Sequence, residues 1–252
     1  MSTAKLKIAQ KLKLKKYRDE LKLFAAEGLR LCEMASDFQI EFGFYTAEFL
    51  KNERAEKLVE KIKNCATLYE ISAATFEKIS DTKTPQGIML IVRQEISVLE
   101  KVLAQKLIVA LDAVHDAGNL GTILRTAEAF GCGVIILEDS ADIFNSKVVR
   151  ASMGAIFNLP VAKMTRTEFL TAMKNYGVEI LAAALDSTAE TYYNHDFTKK
   201  SAVVFGSEAR GVSAEILNAA KKIYIPMTGR AESLNVATAA AIIISQAVQN
   251  KI

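Results

Sequence analysis

The sequence predicts an α/β protein, a smaller α/β domain followed by a larger one built on a parallel sheet. Three observations carry that prediction. The second half holds short, mainly apolar runs at 106–111, 134–137, 178–184, 202–205 and 223–226, the kind that a parallel sheet buries on both faces. Stretches with three- and four-residue apolar spacing fill intervals between them, at 120–130, 168–176 and 213–221. The first half alternates the same element types and stops near Arg93, before a mixed polar stretch.

Taken in order, the chain opens with a basic arm. Apolar positions Leu21, Phe24, Ala25, Leu29 and Cys32 then predict a helix over 17–36. Strand-like runs follow at 40–45, 67–71 and 87–92, separated by helical stretches at 46–63 and 72–79. Residues 1–95 are therefore expected to form one domain, 96–106 a linker with the spacing of a short helix, and 107–252 a second domain. The chain closes with 233–249, apolar on nearly every face and so expected to pack on several sides.

Composition narrows the class. With 252 residues, 50% hydrophobic and 24% charged, the chain reads as a soluble globular protein. No apolar run reaches the roughly 18–20 residues that span a bilayer. Lys and Arg recur where a secretory signal would be apolar, so a cytoplasmic location is expected. Cys32, Cys65 and Cys132 lie far apart, and His115 and His195 are the only histidines, so no metal site is expected. Net charge is +3, yet the first 22 residues alone carry +6, leaving the remainder negative. Lys11, Lys13, Lys15, Lys16 and Arg18 are thus candidates for contact with a polyanion; a merely solvated terminus is the alternative.

Ligands of open parallel sheets bind beyond the carboxyl ends of the strands. Three strand exits stand out. After 106–111 comes a loop leading to Asn119, placed to cap a helix that Gly131 ends, with Arg125 off its buried face. After Phe205 comes Gly206-Ser207-Glu208-Ala209-Arg210-Gly211, with glycines where backbone must turn or approach a ligand. After Ile225 comes a loop through Pro226, Met227 and Gly229 to a helix begun by Ser233, whose mouth would be faced by Ser233 and Asn235. Taken singly, each loop reads equally well as a capped helix or tight turn with surface charges. No P-loop, dinucleotide fingerprint or GxSxG elbow is present.

In this order the loops resemble the three motifs of the SpoU/TrmH family of SPOUT RNA methyltransferases. The matching segments are Asn119-x-Gly121-x3-Arg125, Gly206-x-Glu208-x2-Gly211, and Ile225-Pro226-Met227 with Ser233-Leu234-Asn235-Val236. The stretch from Arg150 to Val161 is similar to a fourth family segment. Phe24-Ala25-Ala26-Glu27-Gly28 and Thr84-Pro85-Gln86-Gly87 resemble that family's RNA substrate-binding domain, a ribosomal-protein-like α/β fold.

The resemblance implies a deep trefoil knot in the second domain, a homodimer, and methyl transfer from S-adenosyl-L-methionine to a ribose 2′-hydroxyl of RNA. Ribosomal RNA is favoured by the separate N-terminal domain, with transfer RNA or a non-catalytic RNA-binding module as alternatives. It further implies catalytic roles for Asn119, Arg125, Glu208, Ser233 and Asn235. Cofactor contacts are implied around Gly206, Ile225, Met227, Gly229 and Leu234, and Arg150 joins the arm's cations as an expected RNA contact. The chain departs from the family pattern at Ala117, where Pro is common, Ala209, where Gly is frequent, and Ala237, where Ser is frequent.

Overall fold

A computed structural model describes residues 3–249. They form two compact units that do not follow a single cut in the sequence. The first holds the chain through Glu95 together with Asp142–Phe157, and the second holds Ile96–Ala141 and the chain from Asn158 onward.

In the first unit, α1 (Thr3–Lys11) and α2 (Lys15–Leu21) precede β1 (Leu23–Glu27), α3 (Leu29–Ala35), β2 (Ile40–Tyr45), α4 (Glu53–Lys63), β3 (Leu68–Glu70), α5 (Ala73–Ile79) and β4 (Ile88–Arg93). The strand order is β1-β4-β2-β3, with β4 antiparallel to both neighbours and β3 parallel to β2. Phe42, Phe44, Phe76, Ile79, Met89 and Ile91 centre its core. The helix expected over 17–36 is instead two helices split by β1. Leu23–Glu27 pairs residue by residue with Met89–Arg93, and Gly28 turns the chain at φ +99°, a conformation most side chains resist. Tertiary pairing has overridden a spacing that fits a helix equally well.

The arm is not a frayed tail among the described residues. It forms α1 and α2, and buries Ala9 and Leu12 in the core. Arg18 is also buried. Its Nε and Nη2 each lie 2.8 Å from Asp142 Oδ2, and its Nη1 donates to the carbonyls of Leu12 and Lys13. An arginine so committed is not offered to a phosphate, so the expected RNA contact at Arg18 is replaced by a structural ion pair.

The second unit continues with α6 (Leu99–Leu103), β5 (Leu107–Asp112), α7 (Ala117–Ala129) and β6 (Gly133–Leu137). The helix α8 (Ser146–Ala151) belongs to the first unit. Back in the second follow β7 (Val161–Met164), α9 (Arg166–Asn175), β8 (Glu179–Ala183), β9 (Glu190–Thr191), β10 (Ser201–Gly206), α10 (Ala214–Ala219), β11 (Lys221–Tyr224) and α11 (Val236–Gln249). Seven strands run in the order β7-β6-β5-β10-β8-β11-β9, and every pairing is parallel. Every residue of β5, β6 and β10 is buried, which is why these segments read as unbroken apolar runs. Helix α11 packs against α7 and β10. Among the described residues no helix is long and apolar enough to cross a membrane.

Candidate active site

The carboxyl ends of β8, β10 and β11 surround a cavity of about 500 Å³ within the second unit. That lies inside the range of roughly 300–1,000 Å³ usual for small-molecule sites. Of the residues expected from sequence, Gly206, Glu208, Ile225, Met227, Ser233, Leu234 and Asn235 line it. Gly229, Asn119 and Arg125 do not.

Two features shape the cavity. The turn after β10 closes on itself, with Ser207 N donating to Gly211 O at 3.1 Å and Gly211 N to Ser207 O at 2.8 Å. The backbone of Gly211 and Val212 then lies so near Gly206 that a Cβ there would collide with it. After β11 the chain runs irregularly, and among the described residues Met227–Leu234 takes no part in backbone hydrogen bonds of a turn or helix. Its amides and carbonyls are therefore free for water or a ligand's polar edge. Phe205, Val212, Ile223 and the half-exposed Leu234 supply apolar wall.

Beside the cavity, three residues far apart in sequence meet. Asn119 donates through Nδ2 to Glu208 Oε1 and accepts at Oδ1 from Asn235 Nδ2 at 2.9 Å. Asn119 is free to do so because it does not cap α7. Asp116 does, its Oδ1 accepting from Asn119 N at 2.8 Å. Likewise α11 begins at Val236 and not at Ser233: Asn235 Oδ1 accepts from Ala237 N at 2.9 Å and caps the helix. The cap fixes Asn235, which holds Asn119, which holds the Glu208 carboxylate. Ala117 occupies the first position of α7, where proline is favoured for its preset φ, and the helix forms without it.

Arg125 stands apart. Six residues beyond Asn119, it lies about 9 Å further along the α7 axis and faces another direction. It is exposed and takes part in no side-chain hydrogen bond or ion pair among the described residues.

Sequence reasoning missed a buried polar brace behind the site. Asp112, 1% exposed at the end of β5, accepts from Arg166 Nε and from Ser213 N, each at 2.7 Å. Ser213 follows the turn that closes at Gly211, so the carboxylate anchors that turn to β5. Burial disfavours the charge on Arg166, but Asp112, Asp139 and Glu138 outweigh it and raise the guanidinium pKa above its usual value. A single Asp at the end of an apolar strand was the available signal. Replacing Arg166 with Met should leave Asp112 buried without a cation and destabilise the protein by about 2–3 kcal/mol, discounted for the part-exposed guanidinium. Urea denaturation against the parent measures it. A shift under 0.5 kcal/mol, roughly the scatter of an ordinary surface substitution, would rule the brace out as a source of stability.

Sequence reasoning also passed over the exit of β8, where Ala184 and the 62% exposed Leu185 line the cavity. Next to them, hydrogen bonds from Lys222 and Thr188 hold the Asp186 carboxyl well below the usual carboxylate range. Among the described residues no group of three or more His, Cys, Asp or Glu is placed to hold a metal ion.

A parallel sheet whose strand exits hold a largely apolar cavity beside an Asn–Glu–Asn network defines a ligand-binding α/β enzyme. Comparison with known proteins makes this specific. Residues 106–245 match the SpoU rRNA Methylase family, and residues 3–90 match the MRM3-like substrate binding domain. The chain belongs to the SpoU rRNA methylase family. It is 33% identical over 242 residues to the 23S rRNA (guanosine(2553)-2'-O)-methyltransferase RlmP of Bacillus subtilis, covering 95% of this chain and 94% of that one. It is 28% identical to the 23S rRNA (uridine(2479)-2'-O)-methyltransferase of Streptomyces viridochromogenes, over 92% of this chain and 80% of the relative. An AdoMet-bound rRNA methyltransferase from Sinorhizobium meliloti superimposes with a TM-score of 0.89 at 31% identity, covering 99% of this chain and 96% of that one.

Proposed function

We propose that this protein transfers a methyl group from S-adenosyl-L-methionine to a ribose 2′-hydroxyl of ribosomal RNA. The observation that carries the reading is the convergence of Asn119, Glu208 and Asn235 beside the cavity at the strand ends. The relatives' named activities support it, as does the substrate-binding match over 3–90.

The cavity fits the cosubstrate: an apolar wall for a purine, uncommitted backbone around Ile225, Met227 and Leu234 for its polar edges, and a turn shaped by Gly206. Bound there, S-adenosylmethionine would supply a methyl group on a sulfonium, and loss of that methyl to an oxygen needs no metal. The protein's task is then to place the ribose oxygen and accept its proton. Glu208 is the anionic group of the network and takes the proton role in this reading, with Asn119 and Asn235 fixing its position. A guanidinium offers donors and no acceptor, so Arg125 serves as a clamp on the phosphate flanking the target ribose. Its lack of a partner among the described residues supports completion of the site by a second copy in a homodimer. The knot implied by the family resemblance belongs to the same reading, and so does a cytoplasmic location.

Glu208→Gln should lower kcat by roughly a hundredfold while leaving cosubstrate affinity intact. Arg125→Lys keeps the charge but loses the planar fork, and should also fall sharply in kcat. Near-parent turnover in either variant removes that residue from the mechanism. The reading as a whole is tested by offering labelled S-adenosylmethionine with separated ribosomal and transfer RNA. Label in the ribosomal fraction is expected. Label confined to transfer RNA would redirect the substrate, and none in either, with cosubstrate bound, would leave a binding module.

For RNA affinity, Lys15 and Lys16 are exposed candidates in the arm without a hydrogen bond or ion pair among the described residues, whereas Lys13 donates to Ser80 O at 2.7 Å and pairs with Asp81. Lys11 is exposed with its ammonium 4.9 Å from the Tyr17 ring centre. Removing the arm would take Ala9 and Leu12 out of the core, so charge removal is the cleaner probe. Lys15→Gln with Lys16→Gln should flatten the salt dependence of RNA binding by about one unit of slope for each phosphate no longer neutralised. An unchanged slope would mean a solvated arm.

A further inference from the structure

Within the first unit, a second cavity of about 310 Å³ opens between the start of α3, the loop 82–86 and the end of α8. Its most telling atom is Arg150 Nη1, which is sealed from solvent and has no hydrogen-bond partner among the described residues. The rest of the part-exposed guanidinium is also without a hydrogen bond or ion pair among the described residues, so the nitrogens that are not sealed are left to donate to an anionic oxygen in the cavity. A second cation, the exposed Arg30, lines the same cavity.

The one carboxylate in the lining is already engaged. Glu27 accepts from Ser80 Oγ at 2.5 Å, Thr82 Oγ1 at 2.7 Å and Asp81 N at 3.2 Å. With two guanidinium groups against one saturated carboxylate, the cavity keeps a positive excess. Gln86 is oriented by accepting from Leu29 N at 2.8 Å, which leaves its Nε2 to donate elsewhere. The remaining wall is apolar: Leu31 and Met153. Met153 is 38% exposed and sits at φ +52°, where an unbranched apolar side chain is rarely held.

We propose that this cavity takes one unpaired nucleotide of the RNA substrate, with its phosphate on Arg150 and its base against Leu31 and Met153. The proposal rests on the reading of RNA as substrate and adds a specific subsite to it. A cation at one end, an apolar wall and an oriented amide are the elements by which proteins hold a splayed-out single-stranded nucleotide. A bare phosphate would need neither the apolar wall nor a cavity of this volume.

The test uses the full chain and a protein-free 23S ribosomal RNA transcript in filter binding, with Arg150→Met and Thr84→Glu as variants. Thr84 is exposed, so the second variant places a repelling charge at the cavity without touching the core. Each should weaken RNA binding by roughly tenfold, the loss of about one charge-assisted hydrogen bond. S-adenosylmethionine affinity, read by calorimetry, should stay at the parent value. Ribonucleoside 5′-monophosphates should compete with the transcript on the parent protein but not on Arg150→Met, whereas inorganic phosphate at equal concentration should not compete. Parent-like RNA affinity in both variants overturns the proposal, and so does phosphate competing as well as the nucleotides. If the parent binds no ribosomal RNA, the substrate reading fails instead. Direct titration with the monophosphates then still decides the cavity: binding lost in Arg150→Met upholds it, and no binding overturns it.

Discussion

Gly206→Ala is expected to lower affinity for S-adenosylmethionine by roughly a hundredfold, the penalty of displacing binding groups by about an ångström. The added methyl would meet the backbone of Gly211 and Val212, not a movable side-chain end. The turn can yield only by breaking the paired hydrogen bonds between Ser207 and Gly211, which carry Glu208 between them. Asn119 would lose its hold on Glu208 as the turn moved. Gly229→Ala is the matched control. Among the described residues no heavy atom apart from its chain neighbours lies within 4 Å of a Cβ there, the backbone does not need glycine, and Gly229 is outside the cavity lining. It should leave affinity unchanged within about twofold, the error expected for an ordinary surface substitution. Calorimetric titration of both variants measures the contrast, and equal affinities would mean that the 206–211 turn does not shape the site.

Arg18→Met is expected to destabilise the protein by about 3–5 kcal/mol, the usual cost of leaving a buried charge without its partner. The two side chains are 4% and 6% exposed, and two arm carbonyls lose their donor as well. Because Asp142 lies far along the sequence in a segment that folds with the first unit, the pair ties that segment to the arm. Chemical denaturation of the variant measures the loss. A change below 1 kcal/mol would return Arg18 to the surface cations.

The sequence carried the parallel sheet of the second unit because β5, β6 and β10 are buried on both faces and contain almost nothing else but apolar residues. It did not carry β1, since Leu21, Phe24, Ala25, Leu29 and Cys32 satisfy a helical spacing while β4 holds the backbone extended. The edge strand β7 carries the exposed Lys163 and so does not read as an apolar run, and the two-residue β9 is too short to leave a period. In the site, the motif residues were legible one by one. Their contacts were not, because the hydrogen bonds that join them span 89 and 116 residues. Asn119 does not cap the helix because α7 starts at Ala117, before it, where Asp116 Oδ1 accepts from Asn119 N. The Asp112–Arg166 brace had no local signal beyond one acid ending an apolar run.

The chemical position of the new methyl group is the central claim, and alkaline hydrolysis of the labelled RNA product tests it most directly. A methylated 2′-oxygen cannot attack the neighbouring phosphodiester, so alkali leaves that linkage intact. Label is expected in alkali-resistant dinucleotides from ribosomal RNA, and its rate of appearance is expected to fall about a hundredfold in Glu208→Gln. Label released as ordinary mononucleotides would place the methyl on a base and contradict ribose methylation.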